Sequence, residues 1–426
     1  MSIGRGMDVF LKDGLVEKIE PSSAAAPPSG AGKPGIIIDG RGMVLIPGMV
    51  NLHAHTAMTL LRGTAEDVNA VDWFNKHIWI YEQGLKPEDV YTGTLLGGAE
   101  MLLNGVTAVA DHYFAMDQAW RAYDELGMRA DLSWALFGLG GGVEENLASA
   151  LEFNRRYRDK NPLITVSMGP HSPYLCPDDF LKRTANIAKE ENLKLHIHVA
   201  EDERQIRISA KERGMTPIEV LKNTGILSPA GEDGPETILA HAYYATDEDL
   251  RIMAGSRCRT AHCPKTYLRF GDSHDFLPRA LKAGAALALG SDGAASNSTM
   301  NIAEAARLAA LMGKAAAGDA GAASLSGVLP LMFSGGCTLG LPQYGNVVPG
   351  APADLVLLDL CTPEMIPGNN LFADILYALD GRNVHTVIVA GRPVVSAGRL
   401  LTADFAGLWK AARAIAQRLV STTASA

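Results

Sequence analysis

From about residue 49 onward, short apolar runs alternate with longer amphipathic stretches, and this alternation constrains the fold more than any other feature of the chain. The short runs predict buried strands, and the stretches 89–103, 178–191 and 247–254 predict helices. Strands that alternate with helices are typical of a parallel sheet. The predicted strands are 49–53, 107–111, 130–136, 163–168, 194–198, 237–241, 259–262 and 285–291. Eight such units predict an α/β protein with a distorted (β/α)8 TIM-like barrel.

The segments before and after the barrel have a different pattern. Short β-like runs precede residue 49, and after about residue 348 the runs ADLVLLDL and VHTVIVAGRPVVSAGRL are separated by Gly and Pro turns without a long helix. We expect both segments to form one small satellite β-sandwich, followed by a closing helix over 405–419. Residues 22–35, rich in small residues, Pro and Gly, are predicted to be a loop. The predicted division is 1–48 for the N-terminal part of the satellite, 49–345 for the barrel, and 346–426 for the C-terminal part with the helix.

Composition and net charge limit the kinds of partner that are expected. Lys and Arg total 38 against 47 Asp and Glu, a net charge of −9, so the chain as a whole should not attract nucleic acid or an anionic membrane. The five cysteines are scattered without a Cys-x-x-Cys pair, which indicates reduced thiols. No secretory signal or long apolar segment is visible, which predicts a cytoplasmic protein. A small-molecule substrate fits these features, and a homo-oligomer is compatible with them.

Polar residues that can bind a metal follow the predicted strands. His53 and His55 flank one alanine at the end of the first barrel strand, so both imidazoles point to the same side. The later strands end in the same way, with His171, His198, His241, His262 and Asp292. The carboxyl ends of barrel strands meet at one mouth, so these residues should lie close together. Imidazoles with one carboxylate suit Zn²⁺ or another borderline divalent ion, and a catalytic site keeps one position open for water. The pattern therefore favours metal-assisted hydrolysis.

A further acid lies close to this cluster. Glu201, three residues after His198, could move protons at the reacting centre without binding the metal. His196 is expected to lie behind the ligands. The other histidines, His77, His112, His274 and His385, have no comparable placement and are interpreted as surface or locally hydrogen-bonded residues. The fourth strand, LITVSMGPHSP, offers no lysine to bridge two metals, so one divalent metal per chain is predicted.

The motifs PGMVNLHAH, GPHSPYLC, HIHVAE, ILAHA and LALGSDGAASN resemble the amidohydrolase superfamily and, within it, the 5′-methylthioadenosine/S-adenosylhomocysteine deaminases. The resemblance runs in order from about Met7 to Arg399. It implies that one Zn²⁺, or Fe²⁺, is bound by four ligands, and these are His53, His55, His198 and Asp292.

The resemblance also implies roles around the metal. His241 lies over the bound water, Asp292 takes the proton of that water, and Glu201 protonates the ring nitrogen beside the amino-bearing carbon. Glu82, nine residues after Trp73, corresponds to the acid that holds the ribose hydroxyls, and His171 contacts the purine or ribose. Trp73 is a further expected substrate contact. Together these roles imply hydrolytic deamination of an adenosine-type nucleoside.

Two stretches differ from the family pattern in ways that affect the expected substrate. Residues 133–143, SWALFGLGGGV, contain no basic residue where relatives that accept S-adenosylhomocysteine carry arginines, which predicts a preference for 5′-methylthioadenosine, 5′-deoxyadenosine or adenosine. After the seventh strand, His262-Cys-Pro-Lys-Thr-Tyr places Lys265 and Tyr267 at the mouth, where Lys265 could contact substrate. This keeps another N-heterocycle, such as a pterin, guanine or triazine, as an alternative substrate for deamination or dechlorination. A non-catalytic binding barrel is disfavoured, because no ligand candidate is missing.

Overall fold

A computed structural model describes residues 2–22 and 35–423 of the chain. The loop predicted over 22–35 lies, except for its two end residues, outside the described residues. The chain begins with a hairpin of β1 (Met7–Lys12) and β2 (Leu15–Pro21), and β3 (Met43–Pro47) leads into the barrel. The barrel strands are β4 (Met49–His55), β5 (Val106–Tyr113), β6 (Arg129–Leu136), β7 (Ile164–Pro170), β8 (Lys194–Val199), β9 (Thr237–His241), β10 (Cys258–His262), β11 (Leu287–Leu289) and β12 (Asp292–Gly293).

The parallel sheet closes on itself through a divided eighth strand. β11 pairs with β10, and β12, two residues further along the chain, pairs with β4. The predicted eight-stranded barrel is therefore confirmed, but the strand predicted over 285–291 is interrupted at Gly290 and Ser291. A Cβ atom at Gly290 would lie 2.9 Å from Sγ of Cys263 and 3.0 Å from Cβ of His53, so only glycine allows this close approach.

Helices cover the outside of the barrel and also lie in the connections between its strands. The helix Asp247–Ala254 begins at its predicted residue because a capping box precedes it. Oγ1 of Thr246 accepts a hydrogen bond from the Asp249 amide at 3.1 Å, and the Asp249 carboxylate accepts one from the Thr246 amide at 2.8 Å. The remaining α-helices are Ala70–Asp72, Trp79–Gln83, Pro87–Leu103, Met116–Leu126, Val143–Tyr157, Asp178–Glu190, Glu203–Arg213, Pro217–Asn223, Pro264–Arg269, Phe276–Ala283, Ala294–Asn297, Ile302–Ala317, Leu325–Val328, Leu371–Tyr377 and Phe405–Thr423. A π-helix spans Trp73–Ile78, and 3₁₀ helices span Thr56–Leu61, Leu329–Met332, Ser334–Gly336, Pro363–Met365 and Gly381–Asn383.

Apolar side chains fill the barrel below the carboxyl ends of its strands. The inner cluster consists of Val50, Leu52, Ala108, Ala110, Ile238, Ala261, Ala288, Leu339 and Tyr344. Leu339 and Tyr344 come from the segment after the barrel, and the Tyr344 phenol is hydrogen-bonded to Thr107 at the start of β5. This packing closes the amino end of the barrel, so a ligand must approach from the carboxyl ends of the strands.

The two chain termini build one satellite sheet, as predicted. Its remaining strands are β13 (Leu355–Asp359), β14 (Val384–Val389), β15 (Arg392–Ser396) and β16 (Arg399–Leu400), in the order β16-β15-β14-β13-β3. β3 is antiparallel to β13, so a strand before the barrel pairs with one that follows it. The hairpin is attached through backbone hydrogen bonds such as Val16 N–H to the Ala351 carbonyl at 2.9 Å. In the described residues, no helix combines the length and apolar character that a membrane span requires.

A buried ion pair joins the satellite to the barrel, and removing one partner should destabilise the protein. Arg129 on β6 donates from Nε and Nη2 to the two oxygens of Asp354 at 2.8 and 2.9 Å, and the Asp354 side chain is fully buried. We expect Asp354→Ala to lower the free energy of unfolding by about 3–5 kcal/mol in urea titrations, because it leaves a buried guanidinium unpaired. The exposed pair of Arg183 and Glu144 is the control: Glu144→Gln should cost at most about 1 kcal/mol. Equal losses in the two variants would contradict this assignment.

Candidate metal centre and active site

The polar residues at the carboxyl ends of the barrel strands lie at one mouth. β4 ends in His53 and His55, β8 in His198 and β9 in His241, and the short β12 begins with Asp292. Two groups of side chains have potential ligand atoms within 4.8 Å of one another: His53, His55 and His198, and His53, His241 and Asp292. The structure therefore brings together residues that are up to 239 positions apart in sequence, 292 − 53, as the barrel hypothesis expects.

The separations within this set match those of ligands around one ion. Nε2 of His198 lies 3.1 Å from Nε2 of His55, and Oδ1 of Asp292 lies 3.4 Å from Nε2 of His55 and 3.5 Å from Nε2 of His53. Ligands at about 2.0–2.1 Å from a tetrahedral Zn²⁺ are about 3.3 Å from each other. The geometry of the donors fits a bound divalent cation.

Hydrogen bonds at Nδ1 of His55 and His198 leave Nε2 of each ring available to bind a cation. Nδ1 of His55 donates to the His112 carbonyl at 2.5 Å, and Nδ1 of His198 donates to the His171 carbonyl at 2.9 Å. With Nδ1 occupied in this way, Nε2 of each ring is the nitrogen left to bind a cation. The two Nε2 atoms lie 3.1 Å apart, a separation at which one divalent ion could bind both.

His53 also has a buried ring nitrogen that is available to bind a cation. Its Nδ1 lies 2.9 Å from Nε2 of His196, which places His196 behind it, while its own buried Nε2 makes no hydrogen bond with any described residue. Burial lowers the pKa of His53 to about 3 and holds the pKa of His198 well below its ordinary value, and neighbouring imidazoles act in the same direction. Both rings are therefore neutral at pH 7 and can act as ligands.

Asp292 is held with one oxygen fixed and the other directed into the cluster. Thr266 and Ser296 donate their hydroxyls to Oδ2 at 3.1 and 2.7 Å, which leaves Oδ1 facing the imidazoles. Asp292 has φ of 60°, an uncommon backbone conformation for a non-glycine residue and one often found at functional sites. Burial alone would raise the pKa of Asp292, but the interactions with His53, His55 and His241 hold it well below its usual range.

Glu201 lies beside the cluster rather than within it. Its Oε1 is 3.7 Å from Nε2 of His241, and the side-chain amide of Gln205 contacts its Oε2 at 3.4 Å. Burial raises the pKa of Glu201, against the opposing effect of His241. A carboxyl with a raised pKa retains its proton more readily near neutral pH, which suits a proton donor.

The other predicted substrate contacts are Glu82, Trp73 and His171, and each has a defined partner in the structure. Glu82 accepts a hydrogen bond from the Tyr113 phenol at 2.6 Å, and burial raises the pKa of Glu82. The indole of Trp73 donates to the Ala295 carbonyl at 3.3 Å, which connects it to the short helix Ala294–Asn297 after β12. His171 stacks on His198 with ring centroids 4.6 Å apart.

Lys265, in the helix Pro264–Arg269 after β10, forms an ion pair with an acidic side chain of the helix Ile302–Ala317. Its ammonium lies 2.8 and 2.9 Å from the two oxygens of Glu304 and 3.2 Å from Oγ1 of Thr299. A substrate carboxylate would have to compete with Glu304 for this charge.

His112 lies close to the site although its place in the sequence did not indicate it. The expectation of a surface residue is wrong, because the ring is buried, while the expected local hydrogen bond is present, from Nε2 to the Gly169 carbonyl at 3.1 Å. The ring lies 4.9 Å from the ring of His198 and 5.9 Å from that of His55. The predicted strand 107–111 ends two residues before β5 does. Treating His112 as a strand end like the others would have found it.

A parallel barrel with facing histidines and one carboxylate at the carboxyl ends of its strands defines a class of hydrolases that work through a divalent metal. The chain belongs to the amidohydrolase family, whose family model matches residues 44–394. It is a hydrolytic aminohydrolase of that family.

Individual relatives agree with this assignment. The chain is 36% identical over 422 residues to a 5-methylthioadenosine/S-adenosylhomocysteine deaminase of Pelotomaculum thermopropionicum, covering 98% of this chain and 96% of the relative. It is 35% identical over 369 residues to a 5′-deoxyadenosine deaminase of Methanothermobacter thermautotrophicus, covering 85% and 84%. The crystal structure of an adenosine deaminase from Xanthomonas campestris with bound zinc superposes with a TM-score of 0.91 at 29% identity, covering 98% of this chain and 94% of that one.

Proposed function

We propose that the protein is a metal-dependent hydrolase that deaminates an adenosine-type nucleoside and releases ammonia and the inosine-type product. The observation that carries this proposal is the convergence of facing imidazole nitrogens and one carboxylate oxygen beside Glu201 and His241. The relatives named above as deaminases of adenosine-type nucleosides support the choice of substrate class.

The proposed cofactor is one Zn²⁺ per chain, held by His53, His55, His198 and Asp292. Three imidazoles and one carboxylate suit zinc, and the zinc in the related adenosine deaminase favours it over Fe²⁺. A second metal would usually need a bridging lysine, which the β7 segment ITVSMGP does not contain.

Zn²⁺ bound here would lower the pKa of its water towards 7 and so make hydroxide available at neutral pH. Asp292 accepts the proton of the attacking water on Oδ1, while Thr266 and Ser296 hold Oδ2 in place. Glu201 gives its proton to the ring nitrogen beside the amino-bearing carbon. The proton on Asp292 passes to the amino group, which leaves as ammonia, and the proton of the new hydroxyl returns to Glu201 as the carbonyl forms.

The mouth residues are proposed to orient the nucleoside. Glu82, fixed by Tyr113, would accept hydrogen bonds from the ribose hydroxyls, His171 would contact the purine or ribose, and Trp73 would form part of the wall. Lys265 remains a candidate substrate contact only if Glu304 releases it. The alternative heterocycles depended on Lys265 and Tyr267, and the ion pair of Lys265 with Glu304 removes much of that support.

Ammonia release from a panel of aminated rings tests the proposal. We expect zinc-loaded protein to deaminate 5′-methylthioadenosine, 5′-deoxyadenosine or adenosine with kcat/KM of at least about 10⁴ M⁻¹s⁻¹ for the preferred nucleoside. Guanine, a pterin and an aminotriazine are the comparison substrates. Turnover of one of these rings without any nucleoside turnover would overturn the proposal.

Among the nucleosides, we predict that those with neutral 5′ groups react better than S-adenosylhomocysteine. Residues 133–143 carry no cation, and the nearby Arg183 is already paired with Glu144 at 2.6 and 2.9 Å. A carboxylate without a charged partner loses about 1.5–3 kcal/mol, which corresponds to roughly 10- to 150-fold in kcat/KM. Competition assays on the parent and on Lys265→Met measure this difference. If the parent prefers S-adenosylhomocysteine and Lys265→Met loses that preference, Lys265 binds the carboxylate and the prediction is wrong.

A further inference from the structure

Tyr267 is held rigidly beside the proposed active site. It lies in the helix Pro264–Arg269 after β10, its side chain is buried, and its ring stacks on Tyr243 with centroids 3.8 Å apart and planes 10° from parallel. Stacking and burial leave the phenol little freedom to turn. The position of its oxygen is therefore set by the fold.

The hydrogen bonds of the phenol determine where its proton lies. The backbone N–H of Cys263 donates to the phenol oxygen at 3.1 Å, and Nδ1 of His241 lies 3.3 Å from the same oxygen. A buried hydroxyl needs an acceptor for its own proton. Within the described ranges, the imidazole nitrogen is the acceptor within hydrogen-bond distance of this hydroxyl.

We propose that Tyr267 is a positioning residue that donates its phenol proton to Nδ1 of His241 and so fixes the neutral tautomer with the proton on Nε2. This nitrogen lies 3.7 Å from Oε1 of Glu201, and His241 forms a group of potential ligands with His53 and Asp292. The inference rests on the proposed function, because it assigns that proton a task in the reaction. His241 donates from Nε2 to the oxygen that adds to the substrate ring.

The opposite tautomer would be unfavourable for the reaction. A lone pair on Nε2 would face the negative charge that develops on the attacking oxygen. A fixed donor at that point stabilises the transition state, and its loss usually lowers turnover substantially. Tyr267 would thus act on the reaction through His241 without touching the substrate.

The test is the ring-nitrogen NMR spectrum of zinc-loaded protein labelled with ¹⁵N-histidine, with the His241 signals assigned by their absence in His241→Gln. We expect a protonated Nε2 and an unprotonated Nδ1 in the parent. Tyr267→Phe should show a mixture of tautomers, with unchanged zinc content and kcat about 10- to 100-fold lower, and KM should change by no more than about threefold.

Tyr243→Phe, which removes a phenol from the same aromatic stack while keeping the ring, should preserve the His241 spectrum and the turnover. A parent spectrum with the proton on Nδ1 would overturn the proposal even if Tyr267→Phe fails to fold. An unchanged His241 spectrum in a folded Tyr267→Phe would also overturn it. If the parent deaminates no nucleoside yet shows the expected spectra, the proposed function fails while the tautomer assignment stands.

Discussion

Replacing Glu201 with glutamine should lower kcat by about 10²- to 10⁴-fold while leaving folding and zinc content intact. This is the usual scale of loss when a positioned general acid is removed. Glu201 lies 3.7 Å from His241 but outside both groups of potential ligands, so its removal should not release the metal. Steady-state kinetics with 5′-methylthioadenosine, together with elemental analysis, would measure both quantities.

Glu203→Gln is the matched control for Glu201→Gln. Glu203 is a neighbouring acid at the start of the helix Glu203–Arg213, where it pairs with Arg207 at 3.1 Å, so the variant should retain the parent turnover. Near-parental turnover in Glu201→Gln would instead assign the proton transfer to another group, with His241 the next candidate.

The raised pKa of Glu201 also determines at which end of the pH range activity declines. A proton donor is active only while it is protonated, so its contribution is present below its pKa and is lost as pH rises through that value. Because burial raises this pKa in the folded protein, the alkaline decline should begin above the ordinary range of a glutamate. Glu201→Gln should lack this decline in a pH profile of kcat/KM.

Removing the metal should abolish deamination and lower the melting temperature. The cluster places bare nitrogens of His55 and His198 3.1 Å apart and leaves Nε2 of His53 without a hydrogen bond, which is unfavourable without a cation. An ion that binds only the folded state stabilises it by RT ln(1 + [M]/Kd), about 4 kcal/mol at 1,000 times Kd. Activity and thermal unfolding should be recorded before and after chelation, with a mock-dialysed sample as the control. Full activity after verified removal of metal would contradict the proposed mechanism.

The barrel could be predicted from the sequence because its strands are short apolar runs, and burial on both faces leaves a clear pattern. The eighth strand was the weakest prediction, since AALALG is poor in β-formers and its break at Gly290 depends on the close approach of His53 and Cys263. The parallel arrangement also explained why distant histidines would meet. To predict which residues meet at the mouth, it is enough to know where each strand ends, and the local sequence pattern indicates this.

Side-chain partners could not be predicted in the same way. Lys265 is paired with Glu304, which lies 39 positions away on another helix, and no local pattern indicates that pairing. The contact between Tyr267 and His241 likewise depends on how the helix Pro264–Arg269 packs against the end of β9. His112 could not be recognised as a strand-end residue because the predicted strand 107–111 ends two residues before β5 does.

The most direct test is a titration of metal-free protein with Zn²⁺ while ammonia release from 5′-methylthioadenosine is followed. We predict that activity rises in proportion to added zinc and reaches its plateau at about one equivalent per chain, in keeping with a single four-ligand centre. Activity that requires two equivalents would contradict the one-metal centre. A protein that carries one zinc and deaminates neither 5′-methylthioadenosine, 5′-deoxyadenosine nor adenosine would contradict the proposed function itself.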